Sequence, residues 1–142
     1  MVRLNSFAIQ FASPQTPVVT SPLAILFYED LMPGTQLVHR LQDLRYRVQV
    51  VSTGEELLAT AASAGPMLIV MDLVSKRADV CELIRQLRAA VATAHIPLIG
   101  FADETELPLQ TAATQAGATL VVTDAAILLH LNQFIDRALQ VE

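Results

Sequence analysis

A single cysteine, Cys81, stands in a chain of 142 residues. It has no second thiol for an internal disulfide and no neighbour at metal-ligand spacing, so neither staple holds this fold, and a reducing cytoplasm is the expected setting. Charge is also scarce. Asp, Glu, Lys and Arg make up 16% of the residues, where about a quarter is usual. With so little ionic material to coat it, part of the surface is expected to lie under a partner. Nine Lys and Arg face fourteen Asp and Glu, a net charge of -5. Binding to a nucleic-acid backbone draws on clustered cations that release counterions; these nine are scattered, which argues against a nucleic-acid partner. No apolar run reaches the roughly 18 residues of a membrane span, because Gly65, Pro66, His95 and Pro97 break the longest candidates. Asn5, Ser6 and Gln10 likewise interrupt anything resembling a signal core near the start. Familiar catalytic signatures are missing: there is no GxSxG elbow, no Walker loop and no HExxH, so an enzyme is not expected. His39, His95 and His130 share no ligand spacing and are read as surface or boundary residues. Cys81 falls near the start of a helix, where a thiol pKa can drop, but no basic or histidine neighbour supports that, and an inert thiol is expected.

What the chain does have is alternation of period. Residues 13 to 22, SPQTPVVTSP, hold three prolines and separate a head segment from the body. Two regions follow: an extension over 1–22 and one compact domain over 23–142. In the head, Phe7, Ile9 and Phe11 alternate with small or polar residues, the pattern of a strand that adds to a sheet edge or pairs with another copy; the alternative is a mobile tail. From Leu23, apolar runs at 23–28, 48–51, 67–71, 96–101 and 118–122 are separated by helix-like segments. Leu37, Leu41 and Leu44 share one helical stripe, as do Val80, Leu83, Ile84 and Leu87. Thr53 with Glu56 reads as a capping box, and Gly65 and Gly117 close their helices. Continuous apolar strands alternating with single helices predict an α/β fold: a flavodoxin-like, doubly wound, five-stranded parallel sheet in the order 2-1-3-4-5, with helices on both faces.

In such sheets ligands bind outside the carboxyl ends of the strands. Asp72 ends the run MLIVMD, and Glu29 and Asp30 end the first strand, expected to neighbour the third. Like charges about 4 Å apart repel by about 4 kcal/mol at an effective dielectric of 20, so three acids at one crevice call for a cation or a proton. Hard oxygen ligands suit Mg²⁺. Gly34 and Thr35 offer another reading, a phosphate cradle opening the first helix as in a flavin protein, although Glu29 and Asp30 would repel that phosphate.

Over residues 23–140 the sequence resembles the receiver domains of two-component response regulators. The acid pair ending the first strand, the aspartate ending the third, AGAT opening the fifth, and the length of DLVSKRADVCELIRQLR carry the likeness. The resemblance implies that Asp72 is the phosphoacceptor position and that Glu29, Asp30 and Asp72 are the metal positions. It also implies a histidine kinase as partner and Mg²⁺ as the ion of a working site. Two positions depart from the pattern. Ala102 stands where receivers carry a Ser or Thr, and Asp124 stands where they carry a lysine; a shift of one residue puts Thr123 there, which is not basic either. Lys76 and Val80 replace the usual proline and glycine of the loop after Asp72.

Losing two charge-assisted hydrogen bonds forfeits about 3 to 6 kcal/mol, and driving a two-state switch from 1:99 to 99:1 takes about 5.5. A pseudo-receiver that needs no cofactor and acts through protein contact is therefore expected, with a phosphorylated receiver as the alternative. Asp124 is read as the cap of the last helix. That helix carries Ile127, Leu131, Phe134, Ile135 and Ala138 as its core stripe, with Leu128, Leu129 and Leu139 widening the apolar arc; together with Leu107 and Leu109 they are the candidate surface for a homo-oligomer or another protein.

Overall fold

The computed structural model describes residues 21–29, 31–75 and 78–140, and side chains at 31–33 are outside the description. The strand expected over Phe7, Ile9 and Phe11 lies outside these residues, as do Asp30 and Lys76. Among the described residues five strands alternate with five helices. In chain order they are β1 (Leu23–Phe27), α1 (Leu31–Asp43), β2 (Arg47–Val51), α2 (Gly54–Ala64), β3 (Leu68–Asp72), α3 (Val80–Ala89), β4 (Leu98–Ala102), α4 (Leu107–Ala116), β5 (Leu120–Thr123) and α5 (Asp124–Gln140). The sheet runs β2-β1-β3-β4-β5, every pair parallel. This is the predicted flavodoxin-like order.

Burial explains the apolar runs. β1 is buried at all five residues, β4 likewise, and β3 at its first four, because helices cover both faces of the central strands. Side chains alternate between two cores. Ile25, Phe27, Ile69, Met71 and Leu98 meet Leu57, Leu83, Ile84, Leu87 and Ala113 from α2, α3 and α4. Ala24, Leu26, Val70, Ile99 and Phe101 meet Leu37, Leu41, Ile127, Leu131 and Ile135 from α1 and α5. The predicted stripes on α1, α3 and α5 are thus the buried faces, with Leu44 and Phe134 only partly covered.

Local chemistry sets the helix ends. The Thr53 Oγ1 accepts from the Glu56 N–H at 3.2 Å, and Glu56 Oε1 accepts from the Ser52 N–H, one residue before the cap itself. Gly65 turns left-handed at φ 61°, where a Cβ is disfavoured. Asp79 caps α3 by accepting from the Glu82 N–H. Gly34 lies inside α1 rather than at its start, and a Cβ there would run into the Tyr28 ring, so the phosphate cradle read from Gly34 and Thr35 does not form a helix opening.

One side chain ties the amino ends of β4 and β5 together. Arg88 donates from Nε to the Gly117 carbonyl at 2.7 Å, from Nη1 to the Ile96 and Ala94 carbonyls at 2.7 and 3.0 Å, and from Nη2 to Thr119 Oγ1 at 3.0 Å. Burial pushes its pKa below the ordinary arginine value. The planar fork is what lets one group satisfy acceptors from the α3–β4 and α4–β5 connections at once. Arg88→Ala is expected to cost about 2–4 kcal/mol. Arg88→Lys should recover little of it, because a single ammonium cannot span the four acceptors. Urea unfolding would read this as a lower midpoint at unchanged slope.

Candidate functional site at the carboxyl edge of the sheet

Parallel pairing delivers the ends of all five strands to one edge. Phe27 is in register with Met71, Asp72 with Phe101, and Ala102 with Thr123. The residues that leave these strands therefore share a rim: Glu29 after β1, Asp72 on β3, Asp103 and Glu104 after β4, and Asp124 after β5. Among the described residues at these four strand ends, every charged side chain is an acid. The sequence holds one lysine, Lys76, which lies outside the described residues.

Asp72 is half-buried and its Oδ1 accepts from the Val74 N–H at 3.0 Å, so the carboxylate organises the first turn of the loop that follows it. Leu73 is drawn inward, its N–H donating to the Phe101 carbonyl at 2.9 Å. Gly100 makes the room: a Cβ there would stand 2.8 Å from Leu73 Cδ2. Two residues later the Ser75 hydroxyl donates to Glu29 Oε2, and its oxygen accepts from the Ala78 N–H. Glu29 and the β3–α3 loop are thereby tied across the β1–β3 boundary. Sequence reasoning brought Glu29 and Asp72 to this boundary but missed Ser75, whose only signal was its place three residues after a strand-ending acid.

The other side of the rim departs from the expectation in detail. Ala102 is only 1% exposed and offers only a methyl group. Thr123 is the last residue of β5 and Asp124 the first of α5, so the shifted alignment is the one that the strand end matches. The cap of α5 is Thr123, whose Oγ1 accepts from the Ala126 N–H at 3.2 Å; the capping role read for Asp124 is corrected accordingly. Asp124 instead lines a shallow cavity of about 220 Å³ with Asp103, Glu104, Thr123 and Ala125. Burial, and then the charge of Asp103, push its carboxyl above the ordinary value. Asp103 and Glu104 escaped the sequence reading because only Ala102 was weighed at the end of the fourth strand, although the residues just beyond it face the same rim.

Oxygen donors of the kind that Mg²⁺ takes are present in Glu29 and Asp72, with Asp30 outside the described residues. Among the described residues no three His, Cys, Asp or Glu side chains stand together as a metal site. His39, His95 and His130 are all exposed. Burial foremost, and then Asp79, raise the Cys81 thiol pKa against a smaller opposing effect of Arg85, in line with an inert thiol. The candidate leucines divide between the two helical layers. Leu109 packs against the α2–α4 core, Leu128 and Leu139 against the α1–α5 core. Leu107 and Leu129 stay 64% and 72% exposed, Leu129 beside Arg40, Asp43 and Asn132 in a groove between α1 and α5.

No family model matches the sequence, and no curated protein matches it. Solved structures do match in shape. The chemotaxis response regulator CheY4 of Vibrio cholerae aligns with a TM-score of 0.74 at 21% identity, over 84% of this chain and 99% of that one. A putative response regulator from Chloroflexus aurantiacus reaches 0.78 at 18% identity, over 84% and 98%. The receiver domain of a Pseudomonas aeruginosa sensor histidine kinase, with a magnesium ion coordinated in its active-site cleft, gives 0.76 at 20% identity, over 84% and 98%. The chain has the fold of a CheY-like receiver domain.

Since Asp124 is held above its ordinary pKa, the folded state binds its proton more tightly than the unfolded chain does. The stability this contributes is complete below the unfolded carboxylate value and is lost as pH rises through the folded one. Asp124→Asn is therefore expected to be more stable than wild type at pH 7, by under about 1 kcal/mol given the solvent screening of this carboxyl. The gap should close on acidification below the ordinary aspartate pKa. Thermal melts of both proteins across that range would check it.

Proposed function

We propose that this chain is a regulatory module of receiver fold that acts in the cytoplasm by protein contact, without a phosphoryl switch and without catalysis of its own. One observation supports this above the others: the far side of the rim holds a buried methyl at Ala102, a Thr123 hydroxyl committed to its own helix, and carboxylates at Asp103, Glu104 and Asp124. A phosphoryl group on Asp72 would gain no bond from Ala102 and would be repelled by these acids. With no hydroxyl at Ala102 and no lysine contact among the described residues, the loss of about 3–6 kcal/mol is as large as the roughly 5.5 kcal/mol of a full switch. The module works as a homo-oligomer or on another protein through the exposed leucines.

A second reading rests on Asp72 itself, which ends β3 beside Glu29, as a phosphoacceptor position requires. In that reading a histidine kinase or a small phosphodonor supplies the phosphoryl group. Mg²⁺, held by Glu29, Asp30 and Asp72, would neutralise charge on the transferred group. The magnesium ion in the Pseudomonas aeruginosa neighbour lends this reading its plausibility.

Incubation with acetyl phosphate and Mg²⁺, followed by intact mass measurement, separates the two. The first reading expects no lasting adduct of about 80 Da and an unchanged sedimentation profile. An adduct that disappears in Asp72→Asn and that alters the oligomer would decide for the second. For the contact surface, Leu129→Asp and Leu107→Asp are the informative changes, because both side chains are exposed and neither variant should perturb folding. Loss of self-association in one of them identifies the layer that docks; identical sedimentation of wild type and both variants at high concentration removes the oligomer.

A further inference from the structure

α1 and α5 lie side by side over one face of the sheet, and the groove between them, about 220 Å³, is lined by Arg40, Asp43, Leu44, Leu129, Leu131 and Asn132. Leu129 is 72% exposed, while Leu44 is half-buried and Leu131 buried, so an apolar side chain projects beside an apolar hollow. A cavity of about 150 Å³ lined by aliphatic and aromatic side chains holds a benzene molecule. The groove therefore has room for the side chain of a leucine.

The same stretch of α1 carries one charge of each sign. Arg40 and Asp43 stand three residues apart, which puts them on one helix face; both are exposed, and among the described residues neither makes an ion pair. Two copies of α1 that cross antiparallel about a two-fold axis near Leu41 and Gln42 set each Arg40 against the partner's Asp43, and an isologous contact makes that pairing twice. The charges of this patch cancel, on a chain whose net charge is -5. Copies of an acidic protein repel one another, and here they meet on a face where the charges are complementary instead. The other strongly exposed leucine of the candidate surface is placed differently. Leu107 follows Glu104 and Glu106 at the start of α4, so a symmetric contact through it brings like charges together.

We propose that a second copy of this chain occupies the α1–α5 groove. Each copy's Leu129 enters the groove of the other, and Arg40 and Asp43 pair reciprocally across the two-fold axis. Within the reading of the chain as a module that acts by contact, on which this pairing rests, the partner is the chain itself and the docking layer is α1 with α5.

Sedimentation equilibrium on the full chain tests the pairing by charge reversal. Wild type is expected to dimerise reversibly. Arg40→Asp leaves only acids at the crossing and Asp43→Arg only bases, so each variant alone should dimerise more weakly than wild type by about tenfold or more. An equimolar mixture of the two restores opposite charges at both pairings and should recover a dimer close to wild type in strength; misfolded variants would give no such recovery. Leu129→Asp should abolish the dimer, and Leu107→Asp should leave it intact. A wild type that stays monomeric at high concentration overturns the proposal. So does a dimer that both charge variants leave unchanged, a mixture that remains monomeric, or a dimer lost in Leu107→Asp but kept in Leu129→Asp. None of these variants touches Asp72, so a failed pairing shows in sedimentation, whereas failure of the phosphorylation-independent reading shows in the acetyl phosphate experiment.

Discussion

Two-sided burial of β1, β3 and β4 is the constraint on which everything else in this protein depends. These strands hold almost no solvent-facing position, so a parallel sheet covered by α2, α3 and α4 on one side and α1 and α5 on the other is the arrangement that satisfies them. Parallel strands joined by helices all point one way. Polar groups with no place inside are carried to the two ends of the sheet, and among the described residues those ends differ in charge. Arg47 and Arg88 bind carbonyls at the amino end, while Glu29, Asp72, Asp103, Glu104 and Asp124 gather at the carboxyl end.

Helix direction reinforces that polarity. Each helix runs back against the strands, so the positive N-terminal ends of their dipoles lie at the carboxyl edge and favour acids there. Glu55 and Glu56 in α2, Glu82 in α3 and Asp124 in α5 occupy first turns, and Arg40, Arg88 and Arg137 occupy last turns. Carboxylates at this edge are thus partly a consequence of architecture. What distinguishes Asp124 is that burial and Asp103 act against its charge and raise its pKa, which makes the far side of the rim a place where another anion is unwelcome.

Functionally the rim is lopsided. Its β1–β3 half is organised: Asp72 folds the loop behind it, and Ser75 links that loop to Glu29. Its β4–β5 half contributes a methyl group, a hydroxyl turned to its own helix and more acid. The hydrogen bonds of the organised half belong to the β3–α3 loop and to Glu29.

The architecture was legible in the sequence because period and punctuation are local. Continuous apolar runs marked buried strands, the stripes through Leu37, Leu83 and Ile127 marked one face of each helix, and Thr53 and Gly65 marked the ends of α2; each needs only residues within a few positions of itself. Strand order then followed from the few topologies that right-handed crossovers permit. The site was half legible. Asp72, Glu29 and Ala102 could be placed at the carboxyl edge because strand ends can be counted, whereas Asp124 could not be separated from Thr123, since one residue decides between the end of a strand and the start of a helix and only the Thr123 hydroxyl on the Ala126 N–H distinguishes them.

The sequence on its own therefore determined the buried faces of α1, α3 and α5, the alternation of strands and helices along the described residues, and that acids stand where the first and third strands finish. Tertiary structure alone decided the pairings across long separations: Ser75 with Glu29, Arg88 with the carbonyls before β4 and β5, Asp103 beside Asp124, and the separation of Leu107 from Leu129. Burial and periodicity are properties of a segment and its immediate neighbours. A hydrogen bond or a charge contact between distant segments depends on distances of a few ångströms that exist only after the sheet has closed.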